Sequence, residues 1–149
     1  MTLHPDLSAF IALLNSRHVD FVVVGAHALA HHGVPRYTGD VDILVRVAPE
    51  NAQRIADVLE AFGFGELGLS ARDFLIENQV IQLGRAPNRI DLLTGLTGVT
   101  FDEVWQARVP GVLDDLPVAY IGKAQLILNK KALARPKDLA DVAFFEGTG

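Results

Sequence analysis

Two short stretches carry acids where an apolar strand would be expected. GDVDILV sets Asp40 and Asp42 at the head of an apolar run, and RIDLL sets Asp91 between Ile90 and Leu92. A carboxylate in low-dielectric surroundings is costly unless it is paired, hydrogen-bonded or bound to metal. Strand side chains alternate between faces, so Asp40, Asp42 and Leu44 share one face while Val41, Ile43 and Val45 share the other. The two aspartate Cα atoms then lie about 6.5–7 Å apart. If the strand carrying Asp91 neighbours the first, three carboxylates converge. Such a group repels itself and takes up protons unless a cation joins it. Oxygen-only donors favour Mg²⁺ or Mn²⁺ over zinc. A pair of such ions about 3.5–4 Å apart activates a hydroxyl and stabilises a leaving oxygen. The competing reading is a solvated face beside an ordinary strand aspartate.

Gly25 closes the run FVVV and opens a helix, a junction whose backbone N–H groups and dipole suit phosphate; a tight strand-to-helix turn is the plainer alternative. His27 and His31 share a helix face. With His32 and the aspartates they make a metal-dependent hydrolase conceivable, without the H-E-x-x-H pattern that would support it. Arg36 precedes the acids and either reaches a phosphate or braces Asp40. Lys123, Lys130, Lys131, Arg135 and Lys137 concentrate positive charge near the end of the chain. Such a stretch is ordinarily a solvated face, and Lys130 or Lys131 turned toward a phosphate is the functional alternative. Asp138 and Asp141, near a helix start, read as favouring the helix dipole.

The elements that must position these residues follow from periodicity and punctuation. Pro5 suits a first helical turn, and Leu7, Phe10, Ile11 and Leu14 follow helical spacing. Residues 21–24 read as a buried strand, 26–32 as a short helix stopped by Gly33, 34–39 as a loop and 40–47 as a strand. Pro49 opens a helix with Ala52, Ile55, Ala56 and Leu59 on one stripe and Gly63 after it. Residues 65–78 carry no clear pattern. Residues 80–84 and 89–95 flank Pro87 and Asn88 as a β-hairpin. A short helix over 101–107, a strand over 118–121 and helices over 122–134 and from Pro136 complete the chain. The adjacent hairpin argues against an all-parallel sheet, so the expectation is α/β (α+β): a mixed sheet with flanking helices in a single domain, 1–149.

The 149 residues are enough for one domain with a real core, and a half-apolar composition excludes a disordered chain. A net charge of −5 offers no broad basic face for nucleic acid. With no cysteine there is no disulfide framework or thiolate zinc site, which fits a reducing cytoplasm. The N-terminal stretch lacks the apolar core of a signal peptide, and no apolar run approaches the roughly 20 residues of a membrane span.

VVVGAHALAHHGVPRYTGDVDILV resembles the signature of the DNA polymerase β-like nucleotidyltransferases: an apolar strand, a glycine pair or Gly-Ser, a helix, then apolar-Asp-apolar-Asp on the next strand, with a third acid later. His32-Gly33, Arg36, Thr38, Asp40 and Asp42, with the ending NKKALARPKDLADV, are similar to small bacterial stand-alone proteins of that superfamily related to abortive-infection-type toxin nucleotidyltransferases. The resemblance implies that Gly25 and the Ala26 amide hold an NTP triphosphate; Arg36, Thr38 and Lys130 are further candidates for that phosphate site. It implies that Asp40, Asp42 and Asp91 bind two Mg²⁺ (or Mn²⁺), and that Asp91 accepts the proton of the attacking hydroxyl. Ala26 departs from the pattern: superfamily members often carry serine or glycine there, and a serine hydroxyl contact is missing. The implied reaction moves NMP from an NTP to a hydroxyl or amine on RNA, protein or a small molecule. The alternative is a nucleotide-binding or partner subunit with little turnover. A chain this small suggests a homodimer or a partner protein for acceptor recognition, and the toxin likeness raises a toxin–antitoxin role.

Overall fold

The computed structural model describes residues 4–34, 36, 40–85 and 88–147. Six strands form one mixed sheet in the order β3-β4-β2-β1-β6-β5. In chain order the elements are α1 (Pro5–Ser16), β1 (Phe21–Val24), α2 (Gly25–His31), β2 (Val41–Val45), α3 (Pro49–Phe62), two 3₁₀ turns (Gly65–Leu67 and Ala71–Leu75), β3 (Val80–Leu83), β4 (Ile90–Leu93), α4 (Phe101–Gln106), β5 (Val109–Leu113), β6 (Leu116–Tyr120), α5 (Lys123–Leu133) and α6 (Pro136–Glu146). The mixed α+β architecture with flanking helices is the one expected from the sequence.

β1 lies in the middle of the sheet and is buried along its whole length. It runs antiparallel to β2 and parallel to β6, β2 runs parallel to β4, and β3 closes the predicted hairpin on β4. On α1 the helical apolar spacing becomes a buried face of Leu7, Phe10, Ile11 and Leu14, with the Phe10 ring edge-on to Phe62 of α3 at 5.4 Å between centroids. The stripe of α3 differs slightly from the expected one: Ala52, Ile55, Val58 and Leu59 are buried, and Ala56 is only half-buried. Gly63 ends that helix in the left-handed conformation, φ +98°. Burial of these faces removes apolar surface from water, worth about 25 cal/mol per Å², and fixes the strands that carry the acids.

β5 is the element that periodicity missed. Its sequence, VPGVL, contains proline and glycine, both depleted from strands. It survives because it is an edge strand, where the missing Pro110 N–H costs no ladder bond. Asp114 and Asp115 make its two-residue turn to β6 with φ +51° and +66°, the paired positive angles of a tight hairpin.

Candidate active site

The sheet register builds the site. Val24 on β1 lies opposite Asp42 on β2, Asp42 opposite Asp91 on β4, and Asp91 opposite Gln82 on β3. Side chains paired across strands point to the same face, so Asp42 and Asp91 stand side by side. Asp40 sits just before β2. All three carboxylates line one cleft of about 490 Å³, together with Gly25, Ala26, Arg36, Lys130 and Arg135. A larger hollow of about 720 Å³ lies around Trp105 and Phe21 and carries no carboxylate.

Gly25 is demanded twice. Its φ is +69°, and a Cβ there would lie 2.1 Å from Asp42 Oδ2. The start of α2 therefore packs its bare backbone against the Asp42 carboxylate, which explains glycine at that position without appeal to a ligand.

Asp42 is the perturbed acid. Burial, then the charge of Asp91, a hydrogen bond with Asp91 and the charge of Asp40, push its pKa from 3.8 up to about 6. Asp91 is buried too, with 8% exposure, and is compensated differently. Arg89 grips it with both prongs, Nε to Oδ1 at 2.8 Å and Nη2 to Oδ2 at 3.1 Å. The same residue reaches Asp40: its backbone N–H donates to Oδ1 at 3.0 Å, and Nη2 lies 3.7 Å from Oδ2. Arg89 thus stands among the three acids. Among the described residues no group of three His, Asp or Glu side chains is assembled to hold a metal ion. The donor chemistry, carboxylate oxygen without nitrogen or sulfur, nonetheless fits a hard divalent cation, provided the guanidinium gives up Asp91.

The opposite wall of the cleft is cationic and held from behind. The stripe Leu126, Asn129, Lys130 and Leu133 of α5 faces the cleft. Lys130 Nζ lies 3.2 Å from Asp138 Oδ1 and 3.4 Å from Asp141 Oδ2. Arg36 pairs with Asp141, and Arg135 Nε donates to Asp138 Oδ2 at 2.5 Å. Asp138 is fully buried and Asp141 nearly so. The hydrogen bond from Arg135, opposed by burial and reinforced by Lys130, depresses Asp138 to a pKa of about 2. These two acids are therefore more than dipole partners: they anchor the cations. Arg36 is held by Asp141. Thr38 lies outside the described residues.

The histidines do not join the carboxylates. His27 is buried, and its ring hydrogen-bonds the Asp40 backbone, while burial is the chief cause lowering its pKa. His31 stacks on Tyr120 at 4.1 Å, and His32 Nε2 is 2.7 Å from the Ile121 carbonyl oxygen. This leaves the hydrolase reading without a His/Asp centre. Sequence reasoning missed Arg89 as a member of the site. Its spacing, two residues before Asp91 and so on the same strand face, was the available signal.

By sequence the chain matches no family model and no curated protein. Its architecture does match a solved structure: the crystal structure of a "putative nucleotidyltransferase" from Thermotoga maritima aligns with a TM-score of 0.57 over 98% of this chain and 94% of that one, at 12% identity. The fold is nucleotidyltransferase-like. Among the described residues no helix is long and apolar enough to cross a membrane.

Proposed function

We propose that the chain transfers a nucleoside monophosphate from an NTP to an acceptor hydroxyl or amine, releasing pyrophosphate. One observation carries the reading: a single cleft sets the in-register pair Asp42–Asp91 against a wall of cations anchored by buried acids. A triphosphate matches the cations, and an attacking hydroxyl needs a base with a raised pKa near the operating pH. The acceptor oxygen or nitrogen attacks the α-phosphorus, the bond from that phosphorus to the bridging oxygen breaks, pyrophosphate leaves with that bonding pair, and the acceptor proton passes to the carboxyl pair.

In this reading Lys130 and Arg36 meet the phosphates, with Gly25, the Ala26 amide and Thr38 beside them. Asp91, expected from the sequence to take the proton, carries the Arg89 fork. The raised pKa falls on Asp42, so the two carboxyls are assigned the base role as a coupled pair. Asp40, Asp42 and Asp91 would hold Mg²⁺ or Mn²⁺, which when bound neutralises the phosphate charge and lowers the pKa of the attacking group. The acceptor's class, the homodimer or partner protein that would help recognise it, the toxin–antitoxin role and the cytoplasmic setting belong to the same proposal.

Two observations favour the second reading, a nucleotide-binding subunit with little turnover: Ala26 offers no hydroxyl, and Arg89 occupies the place between the acids. Incubation with each α-labelled NTP, Mg²⁺ or Mn²⁺ and a cell extract as acceptor source separates them. The transferase reading expects label on an acceptor with the wild type and none with Asp91→Ala. NTP binding without label under every acceptor and metal condition supports the subunit.

A further inference from the structure

β3 forms one edge of the sheet. Gln79, just before it, faces β4: its carbonyl accepts from the Thr94 N–H at 3.0 Å, and its N–H donates to Thr94 Oγ1 at 2.8 Å. Bonding direction alternates along an antiparallel ladder. Ile81 and Leu83 therefore bond β4, while Val80 and Gln82 turn their N–H and C=O groups outward. Among the described residues no strand pairs with them on that side.

An open edge is a template for another chain, and proteins blunt it with proline, lysine or a bulge. The opposite edge, β5, carries Pro110. β3 carries none of these devices: residues 79–83 read QVIQL, and the register with β4 runs without a break. Leu75, Ile76 and Val80 are exposed along it, Val80 by 56%.

The two ends of this edge are opposite in charge. Asn78, with φ +60°, and Gly84, with φ +79°, turn the chain at either end. Just beyond them stand Glu77 and Arg85, both exposed and neither in an ion pair among the described residues. Ile81 lies midway between the two charges. A two-fold axis at Ile81 thus brings the acidic end of one copy to the basic end of the other.

We propose that β3 pairs antiparallel with β3 of a second copy of this chain, centred on Ile81, so that two sheets join into one. Val80 exchanges both backbone bonds with the partner's Gln82, and each Glu77 meets the partner's Arg85. The backbone bonds and the exposed apolar side chains supply the attraction, and the charges select orientation and register. A parallel pairing sets like charges together, and a centre at Val80 or Gln82 sets Glu77 against Leu83 or Pro87. The axis stands perpendicular to the sheet, so both acid clefts open on the same face. With strands about 4.8 Å apart, β4 and its copy lie about 14 Å apart across the two β3 strands. This gives a homodimer its surface, and it holds whether or not the cleft transfers nucleotides.

Sedimentation equilibrium of the intact protein at low ionic strength tests the pairing. The expected result is a reversible monomer–dimer equilibrium. Val80→Pro removes an outward N–H and leaves the β4 ladder whole, as prolines at sheet edges do, and should abolish the dimer. Glu77→Arg and Arg85→Glu, both at exposed positions, should each weaken it about tenfold. The double exchange should restore it, because the ends are again opposite in charge. Circular dichroism checks the fold of each variant, and the charge series decides the question by itself if Val80→Pro unfolds. Three results overturn the proposal: a chain still monomeric at millimolar concentration, which leaves the edge to a strand of another protein; a folded Val80→Pro that dimerises as the wild type does; or a double exchange no tighter than the single variants.

Discussion

Replacing Asp42 by asparagine should stabilise the protein at neutral pH. The Asp42 carboxyl titrates at about 6 in the fold against 3.8 ordinarily, chiefly because burial disfavours its charge. The rise corresponds to about 3 kcal/mol, at 1.36 kcal/mol for each tenfold change in proton affinity. Its sign follows from proton counting. Between pH 3.8 and about 6 the folded state holds a proton that the unfolded chain has lost. The contribution of the protonated carboxyl is thus fully present below 3.8 and is lost as the pH rises through about 6. Above that range the wild type carries a crowded anion, and Asp42→Asn removes it. The variant should gain up to about 3 kcal/mol at pH 7.5, or several degrees in Tm for a chain of this size, and nothing at pH 3.5. Denaturant unfolding of both proteins from pH 3.5 to 8 measures the difference curve. A gain that is flat with pH, or a loss at pH 7.5, refutes the crowding argument.

Gly25→Ala combines a left-handed backbone penalty of roughly 1–2 kcal/mol with overpacking of about 1–3 kcal/mol, because its Cβ would meet Asp42 Oδ2 at 2.1 Å. A loss below about 0.5 kcal/mol, the size of an ordinary surface change, would contradict that packing. Asp138→Asn removes an anchor of Lys130 and Arg135 and should cost about 2 kcal/mol at pH 7, the fall of the Asp138 pKa from 3.8 to about 2 taken at 1.36 kcal/mol for each tenfold change in proton affinity. With Asp138 depressed to about 2, its contribution is present above 3.8 and fades as the pH falls toward 2, so wild type and variant should converge there in acid unfolding. Ala26→Ser restores a hydroxyl beside Gly25 and should tighten NTP binding roughly tenfold, as read by calorimetry. Unchanged affinity would place the triphosphate away from Ala26.

The acids were legible because two-residue alternation in DVDIL and RIDLL is visible in one dimension, and the hairpin that delivers Asp91 announces itself by its turn residues. What alternation could not supply was register: only the parallel pairing of β2 with β4 sets Asp42 beside Asp91. Arg89 was missed for a related reason, since a surface arginine beside a strand looks the same whether it meets solvent or a buried carboxylate. Asp138 and Asp141 were read as dipole partners because an acid in a first turn needs no further explanation. Their burial depends on α6 closing over Lys130 of α5, which is tertiary. β5 stayed hidden because Pro110 and Gly111 forbid a central strand and are tolerated at an edge.

The most direct test is a crystal structure grown with Mg²⁺ and a non-hydrolysable NTP. The account predicts the triphosphate against Lys130 and Arg36, a divalent cation on Asp42 and Asp91, and the Arg89 guanidinium displaced from Asp91. A nucleotide bound elsewhere, or a cleft in which Arg89 keeps its two-pronged grip on Asp91 under saturating Mg²⁺ and nucleotide, would contradict it.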